Sequence, residues 1–282
     1  MKITNKKKFI VRILELITII ATIILTIVSI SFLSENQTKE ESKNIIKLTN
    51  SGSISNKKIG WGIKRNDNHN QPSLGEENKK LIDKYNGIAM GNNEDKFVYL
   101  TFDLGYEAGY TAKILDDLNQ RNAKATFFIT AHYLNSAPDL VKRMIDEGHI
   151  VGNHTVNHKS MPDISDDEIK TELMTLNQAL YDKFGYEMKY MRPPKGEFSE
   201  RTLSLTENLG FKTVMWSFAY VDWIEEKQPA REEALNKIIS NLHNGEVMLL
   251  HATSKTNGEI MGDIVDNIRK EGYEIKSLEE YR

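Results

Sequence analysis

Five short segments of the sequence carry side chains suited to acid–base or metal chemistry, and most of them follow a run of apolar residues. They contain Asp103, His154 and His158, Arg192, Asp222, and His251. Metal-assisted hydrolysis needs imidazole ligands for a cation, a base for the attacking water and an acid for the leaving group. These residue types therefore predict such a site, provided that the fold brings them together.

The His154/His158 pair is the most informative of these segments. A spacing of four residues on a helical turn directs both imidazoles to the same side, where they can bind one cation. Surface and capping histidines produce the same spacing by chance, so the pair alone is a weak signal. The chain contains no cysteine, which excludes a thiolate metal site, a disulfide scaffold and a cysteine nucleophile.

Each of the other residues has a structural interpretation beside the catalytic one. Asp103 either caps the helix that follows it or accepts a proton from a metal-bound water. Arg192, stiffened by the prolines after it, is suited to an ion pair with a carboxylate in both interpretations. His251 is either a core histidine or an acid presented to a pocket. Asp222 is either a turn residue or the partner that holds a ring nitrogen of His251 and raises its pKa.

The segments after residue 95 alternate between strand-like and helix-like patterns. We predict strands at 97–103, 125–130, 148–152, 190–192, 212–216, 246–251 and 273–275. Helices are predicted at 108–121, 137–147, 165–184, 200–209, 231–243 and 258–270, with a short one at 75–85. This alternation is typical of a parallel α/β sheet, closed into a barrel, with reactive groups at the carboxyl ends of its strands. No G-x-G-x-x-G follows the first strand, so the sequence does not predict a nucleotide site.

The N-terminal region predicts export. Residues 16–33 are uncharged and rich in Ile and Leu, and a run of this length can cross a bilayer as a helix. The basic cluster before it favours an orientation with the N-terminus in the cytoplasm. We therefore predict a cytoplasmic tail (1–8), a transmembrane signal anchor (9–33), a polar linker (34–60), an N-terminal extension (61–95) and an extracytoplasmic catalytic domain (96–282). A cleaved signal peptide is the alternative, although no A-x-A cleavage pattern is evident.

The overall composition fits a globular protein that does not bind nucleic acid. The chain has 282 residues, with 37 Lys and Arg against 40 Asp and Glu, and a formal net charge of −3. A basic surface for nucleic acid is not expected from this balance. The 39% content of hydrophobic residues is too high for a disordered acidic protein.

Five motifs resemble, in the same order, those of the polysaccharide deacetylases, the NodB-homology enzymes of carbohydrate esterase family 4. They are Thr101-Phe-Asp103, His154-Thr-Val-Asn-His158, Arg192-Pro-Pro, Asp222-Trp223 and Leu249-Leu-His251. The resemblance covers roughly residue 97 to the C-terminus, and five ordered motifs are far more specific than any one alone. It implies a distorted (β/α)7-type barrel.

Within this family the sequence is most similar to the delta-lactam-biosynthetic de-N-acetylases of spore-formers. The similarity lies in Gly60-Trp-Gly-Ile63, the residues after Asp103, Arg192-Pro-Pro-Lys-Gly-Glu-Phe-Ser199 and the segment before Trp223. It implies deacetylation of N-acetylmuramic acid in peptidoglycan, after which the freed amine closes on the lactyl carboxyl to form the muramic delta-lactam of spore cortex. An N-acetylglucosamine-directed deacetylase and a catalytically weak, glycan-binding pseudo-enzyme are the alternatives.

The resemblance also implies a role for each site residue. His154 and His158 bind a divalent cation, zinc with cobalt or manganese as alternatives, and Asp103 is the base, oriented by Arg192. Asp222 orients His251, which is the acid. The resemblance implies two further roles. A backbone N–H after Pro194 stabilises the oxyanion, and Trp223, Leu249 and Leu250 form the wall of the acetyl pocket.

One position departs from the family pattern. Leu104 stands where typical members have a second Asp that completes a His-His-Asp metal triad. Water, Asp103 itself or Glu107 could take the third ligand position, and we expect a weaker and more exchangeable metal site. The expected partners are a peptidoglycan glycan strand and, through the N-terminal segment, the membrane.

Overall fold

The strands of the catalytic region lie parallel in one curled sheet. The structure, a computed structural model, describes residues 54–282. The predicted tail, the predicted anchor at 9–33 and most of the predicted linker lie outside the described residues. Among the residues that are described, no helix is long and apolar enough to cross a membrane.

Seven strands form this sheet, in the order β7-β5-β4-β3-β2-β8, with β9 paired to the start of β2. A separate antiparallel pair joins β1 to β6. The strands are β1 (Ile59–Gly60), β2 (Phe97–Leu104), β3 (Ala125–Ile129), β4 (Ile150–Asn153), β5 (Tyr190–Met191), β6 (Glu197–Phe198), β7 (Lys212–Thr213), β8 (Glu246–His251) and β9 (Glu274–Ile275). The expected parallel sheet is confirmed, and its strands overlap the predicted segments; most are shorter than predicted, whereas β2 extends one residue further, to Leu104.

The seam between β7 and β8 makes the curled sheet irregular. Instead of a continuous ladder, one parallel bridge joins Phe218 to Met248. The chain after β7 also pairs through Val214 with Ile88 of the N-terminal extension. The sheet is therefore strongly curled, and only this short contact joins its two edges.

Eight α-helices connect or flank these strands in the described region. They are α1 (Glu76–Lys84), α2 (Thr111–Gln120), α3 (Ala131–Ser136), α4 (Pro138–Asp146), α5 (Asp166–Phe184), α6 (Glu200–Asn208), α7 (Arg231–Ser240) and α8 (Lys255–Lys270). A capping box formed by Ser165 and Glu168 begins α5. Helix α3 was not predicted, and α8 begins earlier than predicted because the side chain of Ser254 caps it by accepting the Asn257 N–H.

Side chains alternate between the two faces of β2, and this alternation places the chemistry. Leu100, Phe102 and Leu104 belong to the main apolar core, which the flanking helices share. Tyr99 belongs instead to the smaller cluster of inward-facing strand residues. Because successive strand residues point to opposite faces, Asp103 points the same way as Tyr99 and lies at the carboxyl end of the strand.

The N-terminal extension packs directly beside the carboxyl ends of the strands. The backbone N–H of Trp61 donates to the Gly196 carbonyl at 2.8 Å, and its indole N–H donates to the Trp216 carbonyl at 2.8 Å. The pairing of β1 with β6 continues this contact. The extension and the barrel therefore share one wall of the region in which the motif residues gather.

We expect Gly152→Ala to lower both the thermal stability of the protein and the order of its strand ends. A Cβ at Gly152 would lie 2.5 Å from a ring carbon of Phe128, whose other contact is the Arg192 guanidinium, 4.3 Å from the ring centroid. Overpacking of this kind typically costs about 1–3 kcal/mol. Thermal denaturation followed by circular dichroism measures the change.

Gly62→Ala is the matched control for this substitution. A Cβ at Gly62 meets no atom within 4 Å, so its melting temperature should stay close to that of the parent protein. Equal melting temperatures for the two variants would show that Phe128 and Arg192 can move aside without cost.

Candidate active site

The centre of the site is an ion pair between Arg192, which is fully buried, and Asp103, which is almost so. The Arg192 Nη1 donates to Asp103 Oδ1 at 2.9 Å, and Nη2 donates to Thr101 Oγ1 at 2.9 Å. Its Nε donates to the Val214 carbonyl at 3.0 Å, and Nη2 also donates to the Met215 carbonyl at 3.1 Å. A planar guanidinium with five donors suits this convergence, in which every partner lies in a different direction.

This ion pair keeps Asp103 ionised. Burial alone would raise the pKa of the Asp103 carboxyl, but the positive charge and hydrogen bond of Arg192, together with the charge of His251, hold that pKa below its usual value. Asp103 is only 8% exposed. An ionised carboxylate in such a site can accept a proton from a water molecule.

The two motif histidines lie on an irregular loop after β4, so the predicted helical turn is wrong. Thr155 (φ 68°) and His158 (φ 55°) both have left-handed backbone conformations, which L-residues with side chains rarely adopt. The His158 N–H donates to Thr155 Oγ1 at 3.0 Å, and the buried Glu172 accepts hydrogen bonds from the backbone and side chain of Asn157, both at 2.7 Å. These contacts stabilise the strained loop, which has no helical hydrogen bonds of its own.

This loop nevertheless brings the two imidazoles together. Their ring centroids are 4.8 Å apart. The Nδ1 of His154 lies 2.8 Å from the Arg192 carbonyl, which can only accept, so Nδ1 carries the proton and Nε2 has a free lone pair. His154 Nε2 lies 3.6 Å from Asp103 Oδ2. Burial lowers the pKa of His154, and burial together with His154 lowers the pKa of His158 to about 4, so both rings are neutral and suited to bind a metal.

The arrangement fits a cation held by two imidazoles, without a full triad. No group of three His, Asp or Glu side chains that could hold a metal ion occurs within residues 54–282. Leu104 faces the apolar core and supplies no ligand. Glu107 is held elsewhere, because its carboxylate accepts from the Gly109 N–H (2.6 Å) and the Tyr133 hydroxyl (2.8 Å). Asp103 therefore remains as the nearest carboxylate to both imidazoles.

His251 is oriented by Asp222 in the way that the acid role requires. Asp222 Oδ1 lies 2.7 Å from His251 Nδ1, and its Oδ2 accepts the backbone N–H of the same residue at 2.8 Å. The Asn257 side chain donates to that Oδ2 at 2.6 Å. Burial would lower the pKa of His251, but the hydrogen bond and negative charge of Asp222 raise it above its usual value. His251 can therefore carry a proton at near-neutral pH, on an Nε2 that Asp222 leaves free.

Asp103, His154, His158 and His251 line one cavity of about 530 Å³ at the carboxyl ends of the strands, and Arg192 and Asp222 are buried behind its wall. Trp223, whose ring centroid lies 5.3 Å from that of His251, and Leu249 form part of its wall, as the sequence predicts. Leu250 does not, because it alternates to the opposite face of β8 and is buried in the main core. Pro194 is buried behind the cavity, and the two residues after it, Lys195 and Gly196, line the wall instead.

Sequence reasoning missed four residues that position the site. Thr101 links Arg192 to the Met248 carbonyl, Asn257 fixes Asp222, and Glu172 holds the loop of the two histidines. Tyr220 supports Asn257 through a short hydrogen bond. No local pattern marks Asn257 or Glu172, since both lie on helices that are distant in sequence from the groups they bind. Thr101 had a signal, because it precedes Asp103 by two residues and so faces the same side.

The chain is similar to known polysaccharide deacetylases in both sequence and fold. A family model described as polysaccharide deacetylase matches residues 90–214. The peptidoglycan-N-acetylmuramic acid deacetylase PdaA of Bacillus subtilis is 42% identical over 228 residues, which are 80% of this chain and 87% of PdaA. A solved structure of B. subtilis PdaA, a family 4 carbohydrate esterase, has a TM-score of 0.79 at 41% identity and covers 81% of this chain and 98% of its own. A peptidoglycan-N-acetylglucosamine deacetylase of Bacillus cereus is 35% identical over 183 residues, 65% of each protein.

We expect Asp222→Asn to lower the pKa of the His251 imidazole. The substitution removes the negative charge that favours the protonated ring, while burial, which favours the neutral ring, remains. An NMR titration of the His251 ring against pH should therefore show the variant deprotonating at lower pH than the parent protein.

Asp263→Asn, the same change at an exposed position of α8, is the control and should leave this titration unchanged. An unshifted His251 titration in Asp222→Asn would contradict the assignment of Asp222 as its electrostatic partner.

Proposed function

Because the chain belongs to the polysaccharide deacetylase family, we propose that it removes the N-acetyl group from N-acetylmuramic acid in peptidoglycan. The observation that carries the proposal is one cavity that holds Asp103, His154, His158 and His251, with Arg192 behind them. PdaA of B. subtilis, named for this substrate, supports the muramic assignment through its similarity over most of both chains.

Asp103 starts the reaction as the general base. Its carboxylate, held ionised by Arg192, takes a proton from the water that attacks the acetyl carbonyl carbon. As the new carbon–oxygen bond forms, negative charge develops on the carbonyl oxygen, and a backbone N–H in the turn after Pro194 stabilises it. Lys195 lies on the cavity wall with a left-handed backbone (φ 60°), which turns the chain there.

His251 completes the reaction as the general acid. It transfers its Nε2 proton to the sugar nitrogen as the carbon–nitrogen bond breaks, giving acetate and a free amine. Asp222 stabilises the protonated imidazole before this transfer and fixes the ring by its contact with Nδ1. The acetyl methyl group packs against Trp223 and Leu249 in the cavity.

His154 and His158 would hold a divalent cation, zinc with cobalt or manganese as alternatives. When bound, such a cation polarises the acetyl carbonyl and lowers the pKa of the attacking water. The hydrogen bond from His154 Nδ1 to the Arg192 carbonyl keeps Nε2 free for it. With one nearby carboxylate, already shared with Arg192, the site would bind the cation weakly and exchange it readily.

The product suggests the biological setting. A muramic amine next to its own lactyl carboxyl can close to a delta-lactam, so the enzyme would supply the precursor of the lactam of spore cortex. Its substrate lies outside the cytoplasm, and the apolar segment at 9–33 would anchor the enzyme on that side of the membrane.

We expect Asp103→Asn and His251→Ala each to lower kcat for acetate release from peptidoglycan by about 10² to 10⁴, the usual contribution of a general base or acid. The circular dichroism spectra should stay unchanged for His251→Ala, because its ring lies at the cavity wall. Near-normal turnover in either variant would refute the role given to that residue.

Acetate release with and without a chelator separates the enzyme from the glycan-binding pseudo-enzyme that Leu104 suggests. We expect release that the chelator abolishes and added Zn²⁺ restores, because among residues 54–282 only the two neutral imidazoles and Asp103 would hold the cation, and so small a ligand set would lose it to a chelator. Tight glycan binding without any acetate release, even with Zn²⁺ in excess, would favour the binding-only alternative.

Mass spectrometry of muropeptides separates the muramic from the glucosamine substrate. A strain that lacks the gene should lose muramic delta-lactam from its spore peptidoglycan and recover it when the gene is restored. A complementing gene that carries His251→Ala is the matched control and should not restore it. Unchanged lactam in the deletion strain would defeat the muramic assignment and favour N-acetylglucosamine.

A further inference from the structure

A second cavity, of about 660 Å³, opens beside the catalytic one. Trp223 lines both cavities, so the two lie next to each other at one exposed indole. Its walls come from the N-terminal extension at Arg65, from residues 219–224 after β7, and from the start of α7. A linear polymer with one sugar in the catalytic cavity can therefore continue into this second cavity.

The second cavity carries more positive than negative charge. Its wall includes Arg65, Lys227 and Lys237 against one carboxylate, Glu233, in a chain whose net charge is −3. Within the described part of the chain, none of these three cations has a carboxylate oxygen within 4 Å (salt bridges in this region join other residues). We call this second space the cationic cavity.

Arg65 is held in a fixed position on its wall. Its Nη2 donates to the Ala219 carbonyl at 2.6 Å, and its guanidinium lies 5.6 Å from the centroid of the Phe218 ring. These contacts use one face and one edge of the guanidinium and leave other N–H groups for a ligand. Arginine presents such groups in a planar fork that matches a carboxylate.

Apolar side chains beside these cations are unusually exposed. Val221 is 53% exposed, Trp223 50% and Ile224 38%, and all three line the cationic cavity. Exposed apolar groups that cluster at a cavity are typical of a ligand groove. An aromatic and aliphatic wall next to cations suits a ligand that combines sugar rings with acidic substituents.

We propose that the cationic cavity binds a carboxylate carried by the glycan strand next to the sugar that is deacetylated. This inference rests on the proposed function, and it adds a site that selects acidic strands over neutral ones. The carboxylate belongs either to the lactyl group of a muramic residue without a peptide stem, or to the stem itself. Arg65 and Lys237 lie on different elements of the wall, so together they can recognise the acidic group from two sides.

The test compares the parent enzyme with a variant that carries Arg65→Gln, Lys227→Gln and Lys237→Gln. Three substrates are used: strands with peptide stems, strands whose stems an amidase has removed, and neutral N-acetylglucosamine oligomers. We expect KM for the acidic strands to rise about tenfold in the variant, since exposed charge pairs contribute modestly each. The calorimetric affinity for the neutral oligomers, which lack the muramic acetyl group that the enzyme is proposed to remove, should not change. A larger effect with stem-free strands identifies the lactyl carboxylate, and a larger effect with intact strands identifies the stem.

Two further variants separate binding from damage to the fold. Lys170→Gln removes an exposed helix lysine that is distant from both cavities and should leave KM unchanged. Glu233→Gln removes the carboxylate that competes with the ligand, so it should lower KM for acidic strands, which a folding defect would not do. Raised salt should weaken the binding of acidic strands less in the triple variant than in the parent enzyme, because salt screens the charges that the variant lacks.

Isothermal titration calorimetry with the same three substrates is run in parallel. If the parent enzyme releases acetate but the triple variant keeps the parent KM and affinity for both acidic strands, the cationic cavity has no such role and the proposed function stands. If no acetate is released from any substrate, the proposed function fails, and the calorimetric affinities alone decide whether the cations bind the strand.

Discussion

A guanidinium buried without access to water is the constraint on which the site depends. Arg192 is 0% exposed, and a buried charge left without a partner costs several kcal/mol. Its partners come from β2, through Asp103 and Thr101, and from the chain after β7, through Val214 and Met215. The need to satisfy this one side chain therefore joins β5 to strands on both sides of it. Asp103, the proposed general base, is one of the groups that hold this charge.

The alternation of strand residues explains why the chemistry collects at one end and on one face. Asp103 and His251 are register partners on the neighbouring strands β2 and β8, so their side chains leave the sheet in the same direction. The sequence predicts this much, because apolar strands that end in polar residues specify both the parallel sheet and its reactive edge. The same alternation, applied strictly, excludes Leu250 from the cavity, since neighbours on a strand cannot both face it.

Local patterns could not predict the contacts made by residues remote in sequence. The loop that carries His154 and His158 is not helical, and it adopts its shape because the buried Glu172 of α5 binds Asn157. Asn257 likewise reaches Asp222 from the first turn of α8. The spacing of the two histidines correctly predicted that their imidazoles are adjacent, but the helical turn from which this was inferred is absent from the loop. Their approach depends on a left-handed Thr155, a conformation that no sequence pattern favours.

Because Leu104 stands where a second carboxylate could bind the metal, Asp103 is the one carboxylate that β2 presents to the imidazoles. β2 continues through Leu104, which pairs with Ile129 and turns its side chain into the core, so only Asp103 faces the imidazoles. Its two oxygens are divided: Oδ1 accepts from Arg192, and Oδ2 lies 3.6 Å from His154 Nε2. A cation held there by two neutral rings would keep more of its positive charge than one held by an additional carboxylate. Such a site would therefore polarise the bound carbonyl more strongly, but it would hold the metal less tightly.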